Sequence, residues 1–253
     1  MMDEELFQFY AKQAEEPFSG WDFSYITETG RMDSEPLSWS YGSMVIKELR
    51  GVNSLLDMGT GGGEFLSMLR PLPPHTAATE GYEPNIPVAR DRLKPFGIDV
   101  KRVEEDDILP FEDGEFNLVI NRHESFSAAE VKRVLSPGGT FITQQVGGLD
   151  IQGLNLSLCA IEEFGYAHWN MDYSREQLKK EGFLEIEGAE EFPVTRFFDI
   201  GAILYYLKAI PWQIEDFTVE KYRKPLMKIH DEIERRGYID FKSHRFYLTA
   251  KRP

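Results

Sequence analysis

A run of apolar residues that closes on a carboxylate and a glycine-rich turn constrains this chain more than any other feature. It reads Leu55-Leu56-Asp57-Met58-Gly59-Thr60-Gly61-Gly62-Gly63, and Glu64-Phe65-Leu66 follow at once with helical character. Glycines in such a corner let the backbone turn tightly and allow a ligand to approach without interference from Cβ. A plain strand-to-helix turn or a dinucleotide loop would share that pattern. The carboxylate two places before the first glycine separates the readings, because it would repel a pyrophosphate held on the turn's amides. A cationic ligand without phosphate is favoured beside it.

The text around the turn alternates. Strands are expected over 54–58, 76–80, 99–103, 116–121 and 140–145, with helices over 64–69, 84–94 and 127–135, and Pro137-Gly138-Gly139 ends the last of these helices. Alternation of this kind predicts an α/β fold with a doubly wound, mostly parallel sheet and helices on both faces. A helix over 174–181, capped by Ser174, leads into a strand over 183–192, and 244–250 reads as a final strand. Ahead of the alternating region lie a helix over 4–12, an aromatic loop over 18–25 and a helix ending near Arg50, whose Tyr41, Val45, Ile46 and Leu49 predict one apolar face. The segment 193–243, with helices near 200–207 and 219–236, interrupts the sheet. It carries Phe197, Phe198, Tyr205, Tyr206, Trp212 and Phe217, and is expected to pack over the strands' carboxyl ends as a lid. The expected organisation is an amino-terminal helical segment over 1–50, a core domain over 51–192 plus 244–253, and an insertion over 193–243.

In order along the chain, these landmarks resemble the class I S-adenosylmethionine-dependent methyltransferases, Rossmann-like and of the small-molecule type. Asp57 to Gly63 is similar to that family's motif I. By that resemblance Asp57, Gly59, Thr60, Gly61 and Gly63 surround the methionine end of S-adenosylmethionine, whose amino group and sulfonium are both cationic. Counting back from Ala89-Arg90, Glu80 matches the residue that takes the ribose hydroxyls, with Gly81 and Tyr82 beside adenine; Glu83, just before Pro84, competes with it. The run Glu104-Glu105-Asp106-Asp107-Ile108-Leu109-Pro110-Phe111 is similar to the family's third landmark. It offers Glu105, Asp106 and Asp107 for the adenine amine. Ser136-Pro137-Gly138-Gly139 matches the element before the fifth strand, and the last strand matches the family's antiparallel one, giving seven strands in all.

Methyl transfer requires chiefly that a nucleophile be aligned and water excluded, with a base where the acceptor must lose a proton. The strand after Leu118-Val119-Ile120 runs into Asn121-Arg122-His123-Glu124, the family's place beside the methyl. Here His123 reads as the base, Glu124 as its partner or alternative, Arg122 as a clamp for an acidic substrate group and Asn121 as a cofactor contact. The alternative is that Glu124 or Ser125 caps the next helix and His123 is an idle surface residue. Gln144 and Gln145 either finish a strand or meet substrate, and His168, Trp169, Trp212 and His244 are either pocket walls or core.

Composition narrows the partner. A net charge of -15 opposes binding to polyanions, and Lys221 to Arg223, Arg235, Arg236 and Lys242 to Arg245 are the only basic groupings. A small-molecule methyl acceptor is therefore expected, without nucleic acid; an RNA or protein methyltransferase and a protein that senses the cofactor without transfer are the rivals. The lone Cys159, read as a small buried residue, allows no internal disulfide or cysteine-based metal cluster, and no metal is expected. The acidic start and the lack of a stretch near 20 apolar residues point to a cytoplasmic protein without a membrane span.

Overall fold

Strands that read as continuous apolar runs need cover on both faces, and the chain supplies it with helices drawn from both sides of each strand. The computed structural model describes residues 4–18, 21–104, 108–160 and 166–253. In order these form α1 (Glu4–Gln13), α2 (Ser24–Thr27), β1 (Met32–Ser34), α3 (Tyr41–Glu48), β2 (Ser54–Met58), α4 (Glu64–Met68), β3 (His75–Glu80) and α5 (Asn85–Leu93) with a 3-10 turn (Lys94–Phe96). Then come β4 (Asp99–Arg102), β5 (Phe116–Arg122), α6 (Ala128–Val134), β6 (Leu135–Val146), α7 (Gln152–Ser157), α8 (Met171–Lys180) and β7 (Leu184–Glu191). The chain ends with β8 (Val194–Phe197), α9 (Ile200–Ala209), α10 (Arg223–Arg236), β9 (Ile239–Lys242) and β10 (Arg245–Lys251).

Seven strands make one sheet in the order β4-β3-β2-β5-β6-β10-β7, with β10 antiparallel to both of its neighbours. The order reverses between β2 and β5, whose ends lie side by side with Met58 opposite Asn121. An open α/β sheet has its ligand crevice at such a switch point. On one face Tyr41 and Val45 of α3, Leu66 of α4 and Leu93 of α5 pack on Leu55, Leu118, Ile120 and Ile142. On the other, Val131 and Val134 of α6 and Leu178 of α8 cover Leu56, Val119, Phe141 and Phe246.

A second sheet, which no pattern in the sequence predicts, joins the two ends of the insertion to the amino-terminal segment: β1-β8-β9, all antiparallel. It bounds a separate core. α9 is apolar all round and buried over nearly its whole length, as a helix at the centre of a core must be. Ile26, Phe197, Leu226, Ile229, Ile233 and Phe241 surround it. Phe197, Tyr205 and Tyr206 are spent inside this core rather than laid over the sheet's edge, while Phe198 and Trp212 stay exposed.

Four local expectations are corrected. α8 is capped by Asn170, whose side chain accepts from the Tyr173 N–H, so Ser174 sits within the helix and is buried. Ile46 is 47% exposed, because α3 turns only Tyr41 and Val45 fully inward. Cys159 is exposed, just past the end of α7 in a left-handed conformation, φ 57°. β6 runs through Pro137-Gly138-Gly139, whose extra residues are absorbed by a register shift against β5.

Candidate active site

β2 ends with Asp57 buried, its Oδ2 accepting the Thr60 hydroxyl at 2.7 Å. Burial pushes the Asp57 carboxyl up to about 7, against the pull of Thr60 and of the Arg122 charge. Gly59 and Gly61 both take φ in the left-handed region, 65° and 63°, which favours glycine. Space demands glycine at Gly59 as well: a Cβ there would lie 2.5 Å from the Glu124 side-chain carbons. The Gly61 N–H donates to Glu80 at 2.6 Å and the Tyr82 N–H to the other oxygen at 2.7 Å. Glu80 is therefore the acid that braces the turn, and burial raises its pKa. Glu83 points outward to Arg102. A Cβ on Gly81 would meet the Val103 carbonyl at 2.9 Å, so the chain passes closely beside β4 there.

The structure thus gathers Asp57, Gly59, Thr60, Gly61, Glu80, Gly81 and Tyr82 around one corner. It does not bring two others. A Cβ on Gly63 would meet Leu93 at 2.9 Å, so the absence of a side chain at this position serves the contact between α4 and α5. Asn121 is fully buried, and its Oδ1 accepts from the Thr143 hydroxyl at 2.8 Å and the Gln145 amide at 2.6 Å. Gln145 also donates to the Glu124 carbonyl at 2.8 Å. This polar network, in which the Asn121 side chain is engaged, holds the 121–125 turn from beneath. Glu105, Asp106 and Asp107 lie outside the described residues.

Above that network the turn presents its polar groups. Ser127 caps α6, its hydroxyl accepting from the Glu130 N–H, so neither Glu124 nor Ser125 is spent as a cap. His123 takes a left-handed φ of 64° and its N–H donates to the Gln144 carbonyl at 2.8 Å. Its ring Nε2 lies 3.2 Å from Gln144 Nε2, and Gln144 Oε1 accepts the Trp39 indole N–H at 2.9 Å. Desolvation, then the charges of Arg245 and Arg122, hold the imidazole well below its ordinary pKa. Arg122 lies over the rings of Phe65 and Tyr41, 5.9 and 6.0 Å from their centroids. Arg245 pairs with Asp150.

Several of these residues carried no functional signal in the sequence. Trp39 and Asp150 stand in no motif, Tyr41 reads only as a helix face, and Arg245 only as scattered charge. Trp21 stands against the corner: its ring is 5.4 Å from Trp212 and 6.1 Å from Tyr82, and a Cβ on Gly61 would lie 3.5 Å from it. Its one signal was its place in the aromatic loop. The remaining candidates are structural. Trp169 packs with Phe126 and Phe246, His168 stacks edge-on against Tyr173, and buried His244 links Glu190 at 2.9 Å to the Leu149 N–H.

Carboxylates at Asp57, Glu80 and Glu124 converge on this turn, which is a setting that favours a cation. A family's sequence model, described as a methyltransferase domain, matches residues 56–143, the stretch from β2 to β6. Residues 56–143 thus match a methyltransferase domain, set in the fold of the class I, S-adenosylmethionine-dependent methyltransferases. Solved structures agree in fold. A protein of Bacillus halodurans described as a methyltransferase aligns with a TM-score of 0.57 at 19% identity, over 83% of this chain and 96% of its own. The YcgJ protein of Bacillus subtilis gives 0.56 at 15% identity, over 84% and 97%. Phosphoethanolamine N-methyltransferase 2 of Haemonchus contortus, solved with phosphomonomethylethanolamine and S-adenosylhomocysteine, gives 0.53 at 16% identity, over 85% of this chain and 53% of that one. No curated protein matches the chain by sequence. Among the described residues no helix is long and apolar enough to cross a membrane.

Proposed function

We propose that the protein transfers a methyl group from S-adenosylmethionine to a small-molecule acceptor bound over the ends of β5, β6 and β10. The observation that carries the reading is the acidic corner, in which Asp57, Glu80 and Glu124 converge on a turn held by left-handed glycines, with Glu124 packed against Gly59. A dinucleotide's phosphates would meet three carboxylates there. S-Adenosylmethionine fits this set, with its methionine end beside Asp57, Gly59, Thr60 and Gly61 and its nucleoside beside Glu80, Gly81 and Tyr82. The bound cofactor supplies a methyl carbon made electrophilic by the sulfonium.

The chain's own residues do the rest. A carboxylate has about four lone-pair positions, and Glu80 accepts backbone N–H groups of its own corner with some of them, leaving the remainder for a ribose. Trp21, Tyr82 and Trp212 stand beside the corner with exposed apolar surface that a bound cofactor would cover. Arg122, His123, Glu124, Gln144 and Arg245 line the acceptor side. We assign the acceptor to the small molecules because the chain's charge of -15 opposes nucleic acid, and because the amino-terminal segment and the insertion meet in a closed core of their own.

Isothermal calorimetry tests this directly. S-Adenosylmethionine and S-adenosylhomocysteine are expected to bind and NAD not to. Glu80→Ala removes its charge-assisted bonds to the ribose, worth about 1.5–3 kcal/mol net, and weakens cofactor binding by roughly ten- to 150-fold. Glu83→Ala leaves the affinity unchanged. Binding of NAD with no response to the methyl donor, or the reverse order of the two glutamate variants, overturns the assignment.

A further inference from the structure

The surroundings of His123 decide which of its nitrogens carries the proton. An indole N–H only donates, so its 2.9 Å bond from Trp39 identifies the near end of the buried Gln144 amide as oxygen. The other end of that amide is then the NH2, and it faces His123 Nε2 at 3.2 Å. An NH2 also only donates. Nε2 must receive it with its lone pair, and in the neutral ring the proton sits on Nδ1. A protonated ring would turn two N–H groups on each other. The charged groups around the ring point the same way: Arg122 on β5 and Arg245 on β10 both disfavour an imidazolium. Of the nearby acids, Asp150 is engaged with Arg245 and the His244 N–H, and the Glu124 side chain lies over Gly59. His123 keeps part of its surface exposed while its ring is desolvated by the groups packed round it, and among the described residues its Nδ1 has no hydrogen-bond partner.

We infer that His123 is a fixed neutral donor, whose Nδ1–H holds an anionic oxygen of the methyl acceptor with Arg122 as the neighbouring countercharge. The inference rests on the small-molecule methyltransferase reading. It replaces the expectation that His123 is the base, because the nitrogen with the free lone pair is the one Gln144 occupies. A donor at this point selects acceptors that carry a carboxylate or another oxyanion and rejects amines and other cations. In this arrangement His123 is a residue of acceptor binding and takes up no proton.

Nitrogen-15 NMR of histidine-labelled protein saturated with S-adenosylhomocysteine reads the tautomer without any acceptor. The resonance that disappears in His123→Asn is expected to stay neutral with Nδ1 protonated from pH 5 to 8. Benzoate added to the same complex is expected to shift that resonance, and benzylamine is not. His123→Ala loses benzoate affinity at least tenfold. His123→Asn restores a large part of it, since its amide N–H stands near the place of Nδ1 and asparagine tolerates the left-handed backbone. An Nε2–H tautomer, titration near pH 6.5, preference for benzylamine, or failure of both probes to move the resonance overturns the inference. If calorimetry shows no binding of S-adenosylhomocysteine, the function reading fails instead, and the tautomer is still read in the free protein.

Discussion

At Asp57 burial and charge pull in opposite directions, and the balance can be measured. Its folded pKa of about 7 stands above the ordinary 3.8, so the sign follows for an acid raised by folding. Below pH 4 the carboxyl is neutral in both states and costs nothing. As pH rises from 4 to 7 the unfolded chain ionises first, stability falls, and the loss is complete above 7. Asp57→Asn is expected to raise the stability of the free protein at pH 8 by on the order of 1–4 kcal/mol and to leave it unchanged near pH 4. Thermal denaturation across that range checks it. Binding of the cationic cofactor runs the other way, because it draws on the ionised form. Affinity for S-adenosylmethionine should fall by up to about tenfold per pH unit below 7 in the wild type and stay flat in Asp57→Asn. Calorimetry in two buffers of different ionisation enthalpy would show the proton; equal affinities at pH 5.5 and 7.5 would sink the assignment.

Among the elements, α9 departs furthest from expectation. The segment around it reads as a movable aromatic cover, yet the helix is buried on all sides and its Asp199 cap both accepts from the Ala202 N–H and pairs with Arg31. A helix so enclosed opens only when its whole core opens. A response to ligand is expected instead in the exposed rings outside it, Trp212 at 55% and Trp21 at 40%. Hydrogen exchange in α9 should be slow in the free protein and unaffected by S-adenosylhomocysteine. The slowing on binding should be confined to 210–217 and the stretch next to Trp21, with a change in tryptophan fluorescence. Ligand-dependent protection throughout α9 would restore the picture of a whole-segment lid.

On the scale of the molecule, two cores share one chain, and the amino-terminal segment is a structural part of the second. β1 adds its edge to β8, Ile26 is fully buried, and Arg31 reaches Asp199 through two hydrogen bonds of 2.6 and 2.8 Å. The pair is only about one-fifth exposed, so removing one partner leaves a charge with poor solvation. Arg31→Ala is expected to cost roughly 1.5–3 kcal/mol, the worth of charge-assisted bonds. The effect should be local: faster proteolysis within 194–242 and little change in the seven-stranded sheet. Uniform destabilisation of both parts would show that the two cores unfold as one.

The β2 turn, the parallel strands and the acidic corner are legible in the sequence because each is set by near neighbours. An apolar run ending at Asp57, left-handed glycines at Gly59 and Gly61, and a carboxylate at the end of β3 all announce themselves within a dozen residues. Gly63 and Asn121 carry the same kinds of signal, and tertiary packing turns them to Leu93 and to Thr143 and Gln145. The small sheet is hidden for another reason. β1 has three residues, and its pairing with Val194–Phe197 spans more than 150 positions, so no local pattern encodes it. The state of His123 belongs to the same class. Sequence places a histidine at the end of a strand; Trp39, Gln144, Arg122 and Arg245, brought from four separate segments, decide its proton, because hydrogen-bond direction and electric field act through space rather than along the chain.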